Sequence, residues 1–237
     1  MNRGSQHSLP GFQTEEILKA DHFGRLERGC WKPPGQDAPV PAVLRLSQAG
    51  PWWCRPLSRY LAAREAKALA HLQGAASAPR LLLWKNGHLL RSWTSGAPMQ
   101  RIGPADPDYF QEARRLLIRL HRKGVTHNDL AKEPNWLVTE EGRPALVDFQ
   151  LASCHRRRGW WFRLQAREDL RHLLKHKRHY RPDLLTAKEE WLLARPSWPA
   201  RLWRATGKRI YLFLTRRLLG WADREGAGDR WTRPPAP

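Results

Sequence analysis

The chain has 237 residues, of which 41% are hydrophobic and 27% are charged, a balance typical of globular proteins and unlike disordered, collagen-like or coiled-coil chains. Its formal net charge is +20, because lysine and arginine together number 42 against 22 acidic residues, and it contains 13 tryptophans. This charge favours a polyanionic partner such as nucleic acid, an anionic membrane surface or a phosphorylated glycolipid, unless the arginine excess reflects only coding bias.

The three cysteines, Cys30, Cys54 and Cys154, are widely separated and lack the short spacings of zinc ligands. We therefore expect reduced thiols and a reducing compartment. No apolar run reaches the roughly 18 residues that a membrane span needs, and the N-terminus lacks the apolar core of a secretory signal. These features predict a cytoplasmic protein, and the positive charge would favour a peripheral position on the inner face of the membrane.

Turns are expected at the start of the chain. Prolines and a glycine at 33–35, followed by Pro39 and Pro41, predict that the first forty residues are rich in turns. The segment 41–47 (PAVLRLS) then predicts a short buried strand.

A helix and a hairpin are predicted next. Residues 59–73 (RYLAAREAKALAHLQ) predict a helix, because alanine and leucine dominate and apolar residues recur at helical spacing. Ser58 is the predicted N-cap. Two apolar runs at 81–84 and 88–93 predict a β-hairpin, because Asn86–Gly87 between them suits a tight turn with positive φ at both central positions.

A second helix is predicted over 107–123. Strands with one helix up to residue 97, and mostly helix beyond it, predict an α+β fold of two lobes. Residues 1–97 would form a small β-rich N-lobe with one helix, and residues 98–237 a larger helical C-lobe. The cleft between two such lobes is the expected place for a ligand.

The segment 125–153 carries the polar residues with the most chemical meaning. His127, Asp129 and Asn135 lie in a predicted loop after the second helix, and Asp148–Gln150 follows a predicted hairpin. The residue types and the order helix, loop, hairpin and acidic loop resemble the catalytic core of the protein-kinase-like superfamily, whose pattern is H-R-D-L-x-x-x-N followed by D-F-G. Taken singly, Asp129 and Asn135 would be better explained as turn caps, and it is their combination with the surrounding pattern that favours the resemblance.

The resemblance implies ATP and Mg²⁺ as cofactors and transfer of a phosphoryl group to a hydroxyl. It implies that Asp129 accepts or orients the proton of the acceptor hydroxyl, and that Asn135 and Asp148 bind Mg²⁺ through oxygen atoms. His127 would tie the loop to the segment that carries Asp148. Asp169, further along the chain, would either brace the loop or lie exposed on a helix.

Arg45 and Glu65 extend the resemblance into the N-lobe. Residues 42–45 (AVLR) take the place of V-A-I-K, with arginine where lysine is expected, and Glu65 follows on the predicted helix at the place of the partner carboxylate. An arginine can pair with Glu65 and bind phosphate oxygens, although an edge-strand arginine in solvent is the alternative.

The resemblance also assigns the nucleotide contacts. The segment 89–94 (LLRSWT) would join the lobes and hold adenine with its backbone, so that Leu89, Leu90 and Ser92 are the expected contacts. The glycine-rich loop that would cover the phosphates is only faintly represented, at 24–29.

Three departures from the superfamily pattern affect what the resemblance implies. Asn135 follows Asp129 by six residues where the pattern has five, Gln150 replaces the glycine of D-F-G, and no A-P-E signature follows. Without that glycine a flip of the segment is less expected, and docking of substrate peptides as in eukaryotic kinases is in doubt.

The acceptor is left open by these motifs. Residues 155–181 are dense in basic side chains, and 208–221 predict an amphipathic helix that either packs on the protein or lies in a membrane interface. The small size and basic C-terminal part look most like the small bacterial branch of the superfamily, which favours a lipopolysaccharide-core sugar slightly over a protein Ser/Thr as acceptor. A pseudokinase, or a RIO-like protein that binds RNA or the ribosome, is the alternative.

Overall fold

The computed structural model describes residues 9–75 and 78–195. Within them the protein is a mixed α+β protein, in which an antiparallel sheet forms most of the N-terminal half and helices dominate the C-terminal half. The predicted helix at 208–221 lies outside the described residues. Among the helices that are described, none is long and apolar enough to cross a membrane. The three cysteines are free thiols, as predicted.

One antiparallel sheet contains five strands, which in chain order are β1 (Phe12–Asp21), β2 (Gly24–Trp31), β3 (Val40–Leu46), β4 (Leu81–Lys85) and β5 (His88–Ser92). Their spatial order is β1-β2-β3-β5-β4. The hairpin of β1 and β2 occupies residues for which the sequence predicted turns, so that prediction is wrong for this stretch. Nearly every side chain of β1 is exposed, which is why no apolar alternation marked it as a strand.

The other strand predictions for this half are confirmed. The predicted buried strand is β3, and the predicted hairpin consists of β4 and β5. At the tip of that hairpin, Asn86 has φ 53° and Gly87 has φ 78°. Both central residues therefore have the positive φ that a tight turn of this kind requires.

One helix, α1 (Arg55–His71), crosses from β3 to β4. It begins four residues earlier than predicted, and the assignment of Ser58 as N-cap is wrong. Proline in the first turn suits a helix start, because its missing N–H would have no partner there anyway. Ser58 instead lies inside the helix, where its hydroxyl donates a hydrogen bond to the carbonyl of Phe23. This bond joins α1 to the turn between β1 and β2.

The described C-terminal half is built from five short strands and four α-helices, which are β6 (Ala97–Pro98), α2 (Met99–Ile102), α3 (Tyr109–Arg122), β7 (Val125–Thr126), β8 (Trp136–Val138), β9 (Pro144–Leu146), β10 (Ser153–Cys154), α4 (Trp160–Tyr180) and α5 (Ala187–Ala194). The predicted second helix is confirmed as α3, and the predicted second hairpin as β8 and β9. β6 pairs with β8, and β7 pairs with β10.

Two apolar clusters hold these elements in place. The smaller one lies on the sheet and includes Leu44, Leu46 and Leu90. The larger one is built mainly from α3, β8 and the residues after β9, with the fully buried Trp136 and Phe149 among its members, and it also takes up the C-terminal half of α1. Because α1 packs into the core of the helical half, it carries Glu65 to the boundary between the sheet and that half.

Candidate active site

The loop that carries His127, Asp129 and Asn135 is anchored to α4. Asp169 of α4 is fully buried, and its carboxylate accepts hydrogen bonds from the backbone N–H groups of His127 and Asn128, each at 2.9 Å. His121 Nε2 lies 3.1 Å from the same carboxylate. The bracing role predicted for Asp169 is therefore confirmed, and the alternative of an exposed helix carboxylate is wrong. We call residues 127–135 the polar loop.

His127 links the polar loop to the segment that carries Asp148, as predicted. Its Nε2 lies 3.0 Å from the carbonyl oxygen of Val147, and its ring packs against Phe149 with centroids 4.6 Å apart. Asn128 adds a second link, because its amide nitrogen donates to Leu151 O at 2.9 Å. These contacts fix where Asp148 stands relative to the loop.

Two residues of this region have left-handed backbone conformations. Asn128 has φ 67°, and Asp148 has φ 63° and ψ 71°. Such conformations cost free energy in residues other than glycine and persist where surrounding contacts impose them. Here the contacts from Asp169 and His127 impose them, and the strain lies beside the residues predicted to do the chemistry.

The extra residue in the polar loop does not separate Asp129 from Asn135. The Asn135 amide nitrogen donates to the carbonyl oxygen of Asp129 at 2.8 Å and to its carboxylate Oδ2 at 3.1 Å. The last three residues of the loop, Glu133–Asn135, form a short 3-10 turn. Lys132, which the sequence analysis did not single out, places Nζ 3.2 Å from Asp129 Oδ2.

Glu65 lies between two arginines. It is fully buried, with Arg45 Nε 3.2 Å from Oε2 and Arg91 Nε 3.3 Å from Oε1. The predicted pair of Arg45 and Glu65 is therefore present, and the alternative of a solvent-exposed Arg45 is wrong. The sequence analysis did not predict a role for Arg91. The one feature that could have indicated it is a cation within the otherwise apolar run of β5. We call Arg45, Glu65 and Arg91 the arginine–glutamate cluster.

Arg45 also reaches the acidic segment of the helical half. Its Nη2 lies 3.7 Å from Asp148 Oδ1, and the side-chain amide of Gln150 faces its guanidinium. Arg45 and Gln150, two of the residues at which the sequence departs from the superfamily pattern, therefore lie side by side. Residues from two distant parts of the chain meet at this point.

A cavity of about 650 Å³ lies between the sheet and the polar loop, within the range usual for small-molecule sites. Its polar walls are formed by Arg45, Arg91, Asp129, Lys132, Asn135, Asp148 and Gln150, and its outer edge by Phe23 and Gly24 at the turn between β1 and β2. Four of the predicted site residues, Arg45, Asp129, Asn135 and Asp148, thus face one space. Glu65 stands behind Arg45.

The predicted nucleotide contacts at Leu89, Leu90 and Ser92 need a correction. Leu89 and Leu90 belong to β5 and are fully buried, so the link to the helical half begins after Ser92 rather than at Leu89. Ser92 is engaged by Arg80, whose backbone N–H donates to the serine hydroxyl oxygen at 2.9 Å. Of the described residues that line the 650 Å³ cavity, none is Leu89, Leu90 or Ser92.

The faint glycine-rich pattern at 24–29 is not a loop, because it forms the first part of β2. A Cβ atom at Gly29 would collide with the carbonyl oxygen of Gln13, and one at Gly24 with that of Leu46. These glycines are needed for the close approach of neighbouring strands. The prediction of a phosphate loop over these six residues is therefore wrong, and the adjoining turn at Phe23 is what reaches the cavity.

The two carboxylates of the cavity have pKa values shifted in opposite directions. Burial raises the pKa of Asp129, and Lys132 offsets part of that rise. Burial alone would also raise the pKa of Asp148, but the surrounding cations, Arg45 first among them, outweigh it and hold that pKa below its usual value. Asp148 is thus suited to remain an anion, and Asp129 to take up a proton.

The residues at the cavity fit a magnesium ion held jointly with phosphate. Asp148 Oδ1 is buried and has no hydrogen-bond donor within the described part of the chain. The amide nitrogen of Asn135 is used by Asp129, which leaves its oxygen for a ligand. Among the described residues, no group of three or more His, Cys, Asp or Glu side chains could hold a metal. Magnesium commonly binds one or two protein ligands together with substrate phosphates, so a sparse site suits it.

No protein-family model matches the chain, and no curated protein matches it. The function of this chain must therefore be inferred from its own residues. The features available for that inference are an anionic oxygen without a donor, a cluster of cations, and a carboxylate with a raised pKa, all of them at one cavity.

Proposed function

We propose that this protein is a Mg²⁺-dependent ATP phosphotransferase with the bilobal fold of the protein-kinase-like superfamily. Residues 1–97 would be the N-lobe and residues 98–237 the C-lobe. The observation that supports this most is that Arg45 lines one cavity together with Asp129 and Asp148, which lie far from it in the sequence.

The order of elements supports the same proposal. A five-stranded antiparallel sheet with one helix inserted between its third and fourth strands precedes a helical half. This agrees with the small β-rich lobe with one helix that the resemblance implies. The buried pair of Arg45 and Glu65 joins that helix to the third strand, where the pattern expects lysine and glutamate.

In the proposed reaction, Arg45 and Lys132 bind phosphate oxygens, while Asp148 and Asn135 hold Mg²⁺, which neutralises charge on the transferring phosphoryl group when bound. Asp129 orients the acceptor hydroxyl and takes its proton. The raised pKa of Asp129 makes it a stronger base than an ordinary aspartate, and its hydrogen bond from Asn135 fixes the direction in which it faces.

We infer that the acceptor, or the surface that presents it, is anionic. The segment that leads away from Asp148 ends in the exposed residues 156–161, which are three arginines, a glycine and two tryptophans. Trp160 and Trp161 are 68% and 46% exposed, and such side chains suit a lipid–water interface beside cationic residues. A lipopolysaccharide-core sugar at the inner face of the membrane fits this surface better than a protein Ser/Thr.

The test combines nucleotide binding with transfer. Thermal unfolding of the wild type is expected to shift upward with ATP, and further with ATP and Mg²⁺, because ligands that bind only the folded state stabilise it. Asp148→Ala should lose the Mg²⁺-dependent part of the shift. Asp129→Asn should keep nucleotide binding but lose transfer to lipopolysaccharide or protein fractions by roughly 10² to 10⁴.

Each outcome has a distinct meaning. A wild type that binds ATP with Mg²⁺ but transfers nothing would indicate the pseudokinase alternative. A wild type that ignores ATP but binds RNA with a strong salt dependence would indicate a RIO-like RNA-associated protein without kinase activity. An Asp129→Asn variant that retains most of the transfer activity would remove that residue from its role.

A further inference from the structure

Exposed apolar side chains are concentrated in two stretches of the described chain. Thirteen large hydrophobic side chains are exposed among the described residues, and seven of them lie in 52–60 and 151–161. Four belong to the first stretch, which leads into α1, and three to the second, which follows Asp148. A cluster of exposed apolar side chains on a folded protein marks a surface that binds a partner or a membrane.

Both stretches are also basic. Residues 51–64 contain three arginines and residues 155–167 contain five, and neither range contains an aspartate or a glutamate. Cations without neighbouring acidic residues in the chain create a positive surface potential. The partner that fits such a surface is therefore both anionic and able to take up apolar side chains.

The two stretches meet along α1. Tyr60 lines a pocket of about 480 Å³ together with residues 152–154. Arg64, one turn further along the helix, donates a hydrogen bond to the carbonyl oxygen of Leu151 at 2.8 Å. Because Leu57, Tyr60 and Arg64 recur at helical spacing, they lie on one face of α1. The two stretches therefore form one continuous surface, which we call the aromatic–basic surface.

This surface borders the 650 Å³ cavity at two points. At one of them, the ring of Trp53 lies 5.9 Å from the ring of His22, the residue before Phe23 at the outer edge of the cavity. At the other, Leu151 itself lines the cavity. Anything bound to the aromatic–basic surface would therefore lie beside the cavity.

We propose that the aromatic–basic surface docks on an anionic lipid bilayer. Anionic headgroups attract the arginines, and tryptophan and tyrosine side chains favour the lipid–water interface. Leu57 and Leu151 gain free energy only where an apolar phase takes them up, which a bilayer provides and a nucleic-acid backbone does not. The docking stands on exposure and charge alone. Its consequence, that a membrane glycolipid would be presented to the cavity, rests on the proposed function.

The chain itself is a poor occupant of this surface. Residues 196–237, which lie outside the described part, contain nine lysines and arginines against three acidic residues. The whole chain carries a formal charge of +20. A basic segment or a second copy of the chain would be repelled by the arginines, whereas an anionic bilayer is attracted to them.

The test measures sedimentation of the full chain with lipid vesicles, without any nucleotide. One set of vesicles contains phosphatidylcholine alone, and in the other about a third of the lipid is phosphatidylglycerol. We expect the wild type to bind the anionic vesicles at least about tenfold more tightly than the neutral ones. High salt should weaken this binding, because it screens the arginines from the headgroups.

The apolar part is tested by variants that keep every charge. Trp53→Ala combined with Leu57→Ser should weaken binding to the anionic vesicles roughly tenfold, and Trp160→Ala combined with Trp161→Ala should do the same. Trp191→Ala is the matched control, because Trp191 lies on α5, outside the surface, and is 52% exposed, as is Trp53. It should leave binding unchanged. Thermal unfolding checks that each variant is folded.

The charged part is tested by two pairs of adjacent, exposed arginines. Arg156→Gln combined with Arg157→Gln removes two charges from the surface, and Arg114→Gln combined with Arg115→Gln removes two from α3. The first pair should weaken binding to the anionic vesicles roughly tenfold, and the second less than about threefold.

Each result supports or overturns the docking. Equal losses from the two arginine pairs would overturn it, because binding would then follow net charge alone. Vesicle binding that survives both apolar pairs would also overturn it, as would variants that lose RNA binding while vesicle binding persists. Vesicle binding through this surface by a protein that never binds ATP would support the docking and refute the proposed function. Phosphotransfer by a protein that binds no vesicles would refute the docking alone.

Discussion

The polar loop and the arginine–glutamate cluster face each other across the cavity, yet different forces hold them. The loop is fixed by directed hydrogen bonds, above all those that Asp169 accepts from the backbone of His127 and Asn128. In the cluster, both oxygens of Glu65 lie near guanidinium groups without hydrogen-bond geometry. The loop is therefore oriented by its bonds, whereas the cluster is held mainly by charge.

This difference suits the two tasks that the proposed function assigns to the loop and to the cluster. A group that takes a proton must be held in one orientation, and bonds to fixed donors achieve this before any substrate arrives. Charge attraction between buried groups is strong but has little directional preference, so cations held this way can turn toward an arriving phosphate. The comparison predicts that the loop tolerates the loss of its anchor poorly, and that an added anion can compensate for damage to the cluster.

Asp169→Ala is expected to have the largest effect on stability. It removes a buried carboxylate that accepts two backbone hydrogen bonds and contacts His121, so the free energy of unfolding should fall by about 3 to 5 kcal/mol. Urea unfolding measures this. The control, Asp183→Ala, removes a half-exposed carboxylate paired with Arg181 and should cost less than about 1 kcal/mol. Equal losses in the two variants would contradict the bracing role.

Glu65→Gln should have a smaller effect, of about 2 kcal/mol, because glutamine keeps one oxygen between the arginines and Asp148 remains near Arg45, while Arg91 loses its counter-ion. Added sulfate should restore part of the loss, since it can neutralise the cations from the cavity. The same sulfate should not rescue Asp169→Ala any more than it stabilises the wild type. Thermal unfolding of both variants with and without sulfate measures this difference. Identical responses of the two variants to sulfate would contradict the distinction between the loop and the cluster.

The smallest effect concerns pH. The raised pKa of Asp129 means that its contribution to stability is full below the unfolded value, 3.8, and is lost as pH rises through the folded pKa. The wild type should therefore gain stability relative to Asp129→Asn as pH falls from about 7 to about 4. Asp148 has the opposite sign, so the advantage of the wild type over Asp148→Asn should persist to about pH 4 and decline only below it. Urea unfolding of the wild type and both variants at each pH checks these two expectations. If the free energy of unfolding changed with pH in the same way in all three proteins, the opposite pKa shifts would be refuted.

The residues that the sequence could predict are those in local patterns. A hairpin whose turn and apolar strands can be recognised in the sequence separates Asp148 from Asp129 and Asn135. In the structure all three residues line one cavity. Arg45 and Glu65 lie on two consecutive elements, β3 and α1, and they form an ion pair. Their chemical roles remain predictions.

What the sequence could not predict depends on contacts between distant segments or on backbone pairing. Arg91 has no partner near it in the chain, and only the pairing of β3 with β5 brings it to Glu65. The strand β1 is stabilised by backbone hydrogen bonds to β2 while its side chains remain in solvent, so its residue types carry little signal. Leu89 and Leu90 were misplaced because a buried strand end and a connecting segment look alike in an apolar run.

The helix α1 is hydrogen-bonded to segments at both ends of the cavity, which bears on how the proposed activity could be controlled. Near its start, Ser58 bonds to the turn at Phe23, and in its middle Arg64 donates to the carbonyl oxygens of Leu151 and Ala152, just beyond Asp148. A switch that worked by swinging this helix outward would have to break all of these bonds and pull apolar side chains from the core. Under the proposed function, the site would therefore be permanently assembled, and its output would follow the supply of nucleotide and acceptor.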